Sequence, residues 1–170
     1  MRKYALKSTG CIPDKLKPMN ASISTEIIRF LREIGLIVIE RAITCATVLP
    51  GISIDHGAMV VDHAALLYPG DLLHEAGHLA VVPPDARAAF HENVGDDGGM
   101  EMGAIAWSYA AAMHLTVPLD VLFHDDGYRG DARWMREHFS TQRSLGVPIL
   151  TWRGLTDAAS FPVMRRWLTA

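Results

Sequence analysis

The sequence is short of the features that mark several large protein classes. Its two cysteines, Cys11 and Cys45, make neither a disulfide framework nor a CxxC motif, so we expect free thiols in a reducing cytoplasm. No apolar run has the length of a membrane span, and none follows the basic residues near the N-terminus as a signal peptide requires. The sequence therefore predicts a cytoplasmic protein with no membrane partner.

An excess of positive charge is also missing. The net charge is −3 over 170 residues, and Lys and Arg form no long stripe, so we expect no nucleic-acid partner. The apolar fraction of 49% and the charged fraction of 21% are ordinary for a globular chain with enough material for one core. Composition thus predicts a single domain and leaves its function to local motifs.

One five-residue motif carries chemistry: His74-Glu75-Ala76-Gly77-His78. Residues four apart in a helix lie on one face, so His74 and His78 are placed to bind one tetrahedral Zn²⁺ ion. Glu75 points to the side, where it can reach a water molecule beside the metal without binding the metal itself. This spacing is the zinc signature of metallopeptidases, with Glu75 as the catalytic general base.

The flanks of the motif predict a short buried helix over residues 71–82. Tyr68-Pro69-Gly70-Asp71 is typical of a turn that ends in an N-cap residue, here Asp71. Apolar residues surround the motif on both sides, and Pro83-Pro84 ends the helix. Buried polar groups need partners, and a metal ion provides one for the histidines.

The pattern along the chain predicts an α+β protein with three parts. Residues 1–23 are an N-terminal arm, residues 24–115 a metal-binding core, and residues 116–170 a helical C-terminal extension of the same domain. The predicted elements are helices at 24–34, 85–91, 100–115 and 131–142, strands at 36–39, 52–54 and 58–62, loops at 92–99 and 124–130, an extended piece at 148–152, and an amphipathic tail at 161–168.

A catalytic zinc ion usually has three protein ligands, so a third must lie outside the motif. The metzincin pattern, with a glycine and a third histidine soon afterwards, is excluded by the sequence that follows His78. Glu101 fits best, because it is an acid at the start of an otherwise apolar helix. The alternatives are Glu92, Asp96, Asp97, His91 and His124, of which Asp97 and His124 are the strongest.

A strand, the HEAGH helix and then Glu101-Met102-Gly103-Ala104-Ile105-Ala106-Trp107 together resemble the small gluzincins, most closely metallopeptidase domains of the ImmA/IrrE type. The resemblance covers residues 24–115. It implies a minimal zincin-like fold in which a small mixed sheet packs on the HExxH helix and a second ligand-bearing helix. It also implies His74, His78 and Glu101 as metal ligands, Glu75 as general base, and strand 58–62 as an edge to which a substrate peptide could add. No helix-turn-helix accompanies it here.

Other polar residues are candidates for supporting roles. His56, His63 and Asp62 flank the strand before the motif and could orient a ligand imidazole. Tyr128 and His124 are candidate hydrogen-bond donors to a reaction oxyanion. Trp134, Trp152 and Trp167 are expected in the core or at a homo-oligomer interface.

Two functions follow from these residues. The first is a zinc-dependent hydrolase, most simply a peptidase that acts on a peptide or protein substrate. The second is a metal-stabilised binding or regulatory module that has the fold but no turnover. Glu75 favours the first function, because a purely structural zinc site has no use for it. The short chain favours the second, because it leaves little material for a deep cleft and suggests that a homo-oligomer completes one.

Overall fold

The structure, a computed structural model, describes residues 17–91 and 97–170 as an α+β fold. Within those ranges it has seven α-helices, one 3₁₀ turn at Tyr128–Gly130, and one three-stranded sheet. The helices are α1 (Lys17–Glu33), α2 (Gly70–Ala80), α3 (Pro84–Ala89), α4 (Gly98–Leu115), α5 (Leu119–Leu122), α6 (Ala132–Thr141) and α7 (Val147–Trp152), and the strands are β1 (Val38–Glu40), β2 (Ile52–Asp55) and β3 (Ala58–Val61).

The sheet is small and mixed, with the strand order β1-β3-β2. β1 runs parallel to β3, and β2 pairs with β3 as an antiparallel hairpin. The hairpin turn lies between the predicted strands 52–54 and 58–62. His56 and Gly57 both have positive φ angles, 47° and 79°, which suit the two central positions of a type I′ turn. β3 is the middle strand, so the expectation that it offers an edge to a substrate peptide is wrong. The outer strands are β1 and β2.

Two helices form the centre of the core, and they contact each other closely. In α2 every residue except Glu75 is buried. In α4 the central run from Gly103 to Ala112 is buried, including Trp107 and Tyr109. At the crossing, a Cβ atom added to Gly77 would lie 2.5 Å from the carbonyl oxygen of Ala104, so only glycine allows this approach.

The start of α2 differs from the prediction. Pro69, and not Asp71, stands at the N-cap position, and no side chain caps the helix. The backbone N–H of Asp71 is already bonded to the carbonyl of Tyr68, at 3.1 Å, because the preceding turn runs directly into the helix. The Asp71 carboxylate is therefore available for another partner. At the other end the helix stops at Ala80, two residues earlier than expected.

Other boundaries differ as well. The predicted arm, residues 1–23, is helical from Lys17 onward, and its first sixteen residues lie outside the described ranges. Residues 148–152, predicted to be extended, belong to helix α7. Gly146 adopts a left-handed φ of 72° just before it, and Pro148 lies in the first turn, where the N–H that proline lacks is not needed. The tail at 161–168 forms turns and no helix.

The C-terminal residues pack back onto the two central helices. The indole N–H of Trp107 donates a 2.8 Å hydrogen bond to the carbonyl of Trp167, and the backbone N–H of Thr169 donates to the carbonyl of Ala80, the last residue of α2. Trp134 and Trp152, in contrast, are 50% and 68% exposed. Among the described residues, no helix combines the length and apolar character needed to cross a membrane.

Candidate metal centre

The fold brings the three predicted ligands together. Nε2 of His78 lies 3.3 Å from Nε2 of His74 and 3.3 Å from Oε2 of Glu101, and Nε2 of His74 lies 3.6 Å from Oε1 of Glu101. The two histidines come from successive turns of α2, and the glutamate comes from the first turn of α4. These three side chains thus face one another where the central helices meet.

The separations match what one metal ion would require. Ligand atoms about 2.1 Å from a tetrahedral zinc ion are about 3.4 Å apart. The three measured separations fall within a few tenths of an ångström of this value. Two imidazoles and one carboxylate also form a ligand set that is typical of catalytic zinc sites. The residues present therefore fit a divalent metal ion.

Burial favours a metal over solvent contacts. The side chains of His74 and His78 are 10% and 3% exposed, and that of Glu101 is 24% exposed. The His74 and His78 rings meet edge to face at 4.8 Å, and both present Nε2 to the glutamate. Water can reach this centre from the Glu101 side only in part, which strengthens electrostatic interactions there.

Asp97 explains why Glu101 is in the first turn of its helix. The Asp97 carboxylate accepts hydrogen bonds from the backbone N–H groups of Gly99, at 2.8 Å, and Met100, at 3.0 Å. This capping interaction starts α4 at Gly98, two residues earlier than the sequence indicated. Asp97 is therefore an N-cap in this structure and does not join the metal centre.

The remaining alternatives to Glu101 lie elsewhere. His124 hydrogen-bonds Oδ1 of Asp71 through Nε2 at 2.9 Å, and His91 lies beside Asp55 with an Nδ1–Oδ1 distance of 3.3 Å. Glu92 and Asp96 are outside the described residues.

Glu75 occupies a distinctive position on α2. It follows His74 directly and is the one residue of that helix which is not buried. A group that exchanges protons with water must be reachable by water, whereas a metal ligand need not be. The partial exposure of Glu75 on an otherwise buried helix therefore suits a proton-handling group.

A polar network lies one turn before His74, and sequence reasoning missed it. The Asp71–His124 pair is nearly buried, the His124 ring stacks on Tyr68 at 3.8 Å, and the Tyr68 hydroxyl donates a 2.6 Å hydrogen bond to Asp126. Burial, and then this hydrogen bond, raise the pKa of Tyr68 to about 12. Fifty-three residues separate Asp71 from His124, so no local pattern in the sequence could have paired them.

The same loop brings Tyr128 to the metal centre. Its ring packs edge to face on His74 at a centroid distance of 5.4 Å and on Phe123 at 5.1 Å. Tyr128 itself has a left-handed φ of 51°, which is uncommon for an aromatic residue. Of the two candidate oxyanion donors, Tyr128 contacts a predicted ligand, while His124 is engaged by Asp71.

The residues expected to orient the ligands lie elsewhere in the structure. Both carboxylate oxygens of Asp62 accept backbone hydrogen bonds, from Ile43 and from Ala64, and these bonds lower its pKa. His63 pairs with Glu40 at 2.6 Å on the surface. His56, at the hairpin turn, is 75% exposed.

No protein-family model, no curated protein and no solved structure matches this chain. Its function must therefore be inferred from the geometry of the centre.

Proposed function

We propose that this protein is a zinc-dependent hydrolase with a zincin-like fold, and that its substrate is a peptide or protein. The observation that carries the proposal is the convergence of His74, His78 and Glu101 at separations that suit one metal ion, with the partly exposed Glu75 next to His74 on α2. A structural zinc site would bring four protein ligands together and would have no need of Glu75.

The roles of the residues follow from their positions. His74, His78 and Glu101 would hold the ion. Zinc, when bound, polarises a substrate carbonyl and makes water acidic enough to act as a nucleophile near neutral pH. Glu75 accepts a proton from the attacking water and passes it to the departing amine, which is general base and then general acid catalysis. Tyr128 forms one wall of the site against His74.

The test replaces Glu75 by Gln. This change preserves size but removes the proton acceptor, and Glu75 is not one of the converging ligands. We expect zinc binding and folding to be retained while hydrolysis falls by a factor of roughly 10² to 10⁴. The measurement uses zinc-loaded protein and a mixed library of short peptides, with cleavage detected by mass spectrometry. Elemental analysis of the same samples reports the zinc content.

Glu26→Gln is the matched control. It makes the same chemical change at an exposed position on α1, away from the centre. It should leave activity unchanged. Equal inactivity of wild type and Glu75→Gln across the library would contradict the enzyme proposal and support a binding module without turnover. Equal activity of the two would show that the chemistry occurs elsewhere.

A further inference from the structure

A second group of metal-binding side chains lies at the tip of the β2–β3 hairpin. Asp55, His56 and His91 each offer one ligand atom, and these atoms lie within 4.8 Å of one another. Oδ1 of Asp55 is the common neighbour, at 3.3 Å from Nδ1 of His91 and 3.9 Å from Nε2 of His56. We propose that these three residues form a second site, for a divalent transition metal ion such as Zn²⁺.

The backbone holds the two segments that supply these ligands in a fixed relation. The N–H of Gly57 donates a 2.9 Å hydrogen bond to the carbonyl of Phe90, next to His91. A Cβ atom added to Gly57 would lie 2.6 Å from the carbonyl oxygen of Arg87, so the hairpin turn sits directly against the end of α3. The two histidines are 35 positions apart in sequence, yet this contact makes them neighbours independently of any metal.

The side chains can complete the geometry. The imidazole rings are stacked at 4.6 Å with planes 17° apart, an arrangement in which their nitrogen lone pairs do not point at one ion. His56 is 75% exposed and His91 51% exposed, so both rings can rotate towards a shared ion without displacing core residues. Imidazole and carboxylate ligands suit zinc, nickel and copper ions, and water molecules would fill the remaining positions.

One neighbouring charge opposes cation binding. The Arg41 guanidinium lies 3.6 Å from Oδ2 of Asp55, whereas the histidine distances given above are to Oδ1. It competes for the carboxylate and should weaken the site, so we expect the second ion to bind less tightly than the ion at His74, His78 and Glu101. A bound ion would tie the hairpin to the chain segment that leads from α3 to α4, the helix that carries Glu101.

The experiment counts zinc ions per chain by competition with a chromogenic chelator. Wild type should bind two, one tightly and one weakly, and His56→Ala with His91→Ala should bind only the tight one. His63→Ala is the matched control, since His63 is also an exposed histidine beside a carboxylate, and it should leave both ions in place. The same number of zinc ions in wild type and in the His56→Ala and His91→Ala double variant, at saturating zinc, would overturn the proposal.

Two further variants separate this site from the proposed active centre. His74→Ala with His78→Ala should lose the tight ion and keep the weak one, so failure of either proposal leaves the other measurable. Arg41→Gln removes the competing cation and should strengthen the weak site several-fold. Binding in Arg41→Gln that is no stronger than in wild type would contradict competition between Arg41 and the ion for Asp55, and with it the proposal.

Discussion

The side chains of the candidate metal centre are arranged so that one shared cation would match all of them. A carboxylate and two imidazoles at separations of 3.3 to 3.6 Å leave little room for solvent between them. Polar groups removed from water without full hydrogen bonding cost free energy, and charged groups cost more. An ion bound by all three would satisfy them together, whereas loss of any one would leave the other two poorly matched.

Glu101 is the proposed ligand that would bring negative charge to this centre, so its charge should matter to zinc affinity. Replacing Glu101 by Gln keeps the shape but removes the anion. Mutation of residues that only orient a metal ligand lowers metal affinity by about 10-fold or more, so we expect a fall in zinc affinity of at least about this size. Competition titration against a zinc chelator measures this directly. Glu137→Gln, on the exposed face of α6, is the control and should leave affinity unchanged. Unaltered affinity in Glu101→Gln would remove Glu101 from the ligand set.

At the scale of elements, the close contact between α2 and α4 positions the ligands. Gly77 precedes His78 in the motif and lies against the backbone of Ala104, which is one turn after Glu101. The approach of the helices and the distance between the ligands are therefore set by the same contact. The glycine in the motif thus has a packing role between α2 and α4.

Gly77→Ala should separate these helices. An added methyl group would meet the Ala104 backbone at 2.5 Å, and backbone yields less easily than a side chain. The overpacking cost of about 1–3 kcal/mol exceeds the gain in helix propensity of about 1 kcal/mol, so we expect lower stability in denaturant and weaker zinc binding. Gly98→Ala is the control, since a Cβ there meets nothing within 4 Å. Unchanged stability in denaturant and unchanged zinc binding in Gly77→Ala would show that the contact between α2 and α4 does not set the geometry of the centre.

Elements with a strong local signal were predictable, and those decided by distant contacts were not. The HEAGH spacing, the hairpin turn and the apolar run of α4 are all written in neighbouring residues, so their existence and type could be foreseen. Helix α7 looked extended because Val and Ile flank a proline, and the left-handed Gly146 that starts it is visible only in three dimensions. Asp71 resembled an N-cap because it follows a turn sequence. Its partner in the structure, His124, is remote in sequence and so could not be foreseen.

At the scale of the whole molecule, the candidate centre lies where the two central helices of the core meet. Its ligands come from α2 and α4, and the C-terminal residues close over both helices through the Trp107–Trp167 and Thr169–Ala80 hydrogen bonds. The sequence indicated the two central helices but not the packing of the C-terminal residues on them. Turns such as those at 161–168 have no periodic pattern that could reveal it. A ligand that bridges the two central helices should therefore stabilise the entire fold.

Zinc should raise the thermal unfolding temperature, because the ligand set exists only when α2 and α4 are packed together. Free zinc at about 1,000 times its dissociation constant adds about 4 kcal/mol to the free energy of unfolding. For a chain of this size that corresponds to a rise on the order of 10 °C. Calorimetry with and without zinc, and after removal by a chelator, measures the shift. The His74→Ala and His78→Ala double variant reports any contribution from the hairpin site and from binding to unfolded chain. An equal rise in wild type and in this variant would mean that the ion does not bridge the central helices.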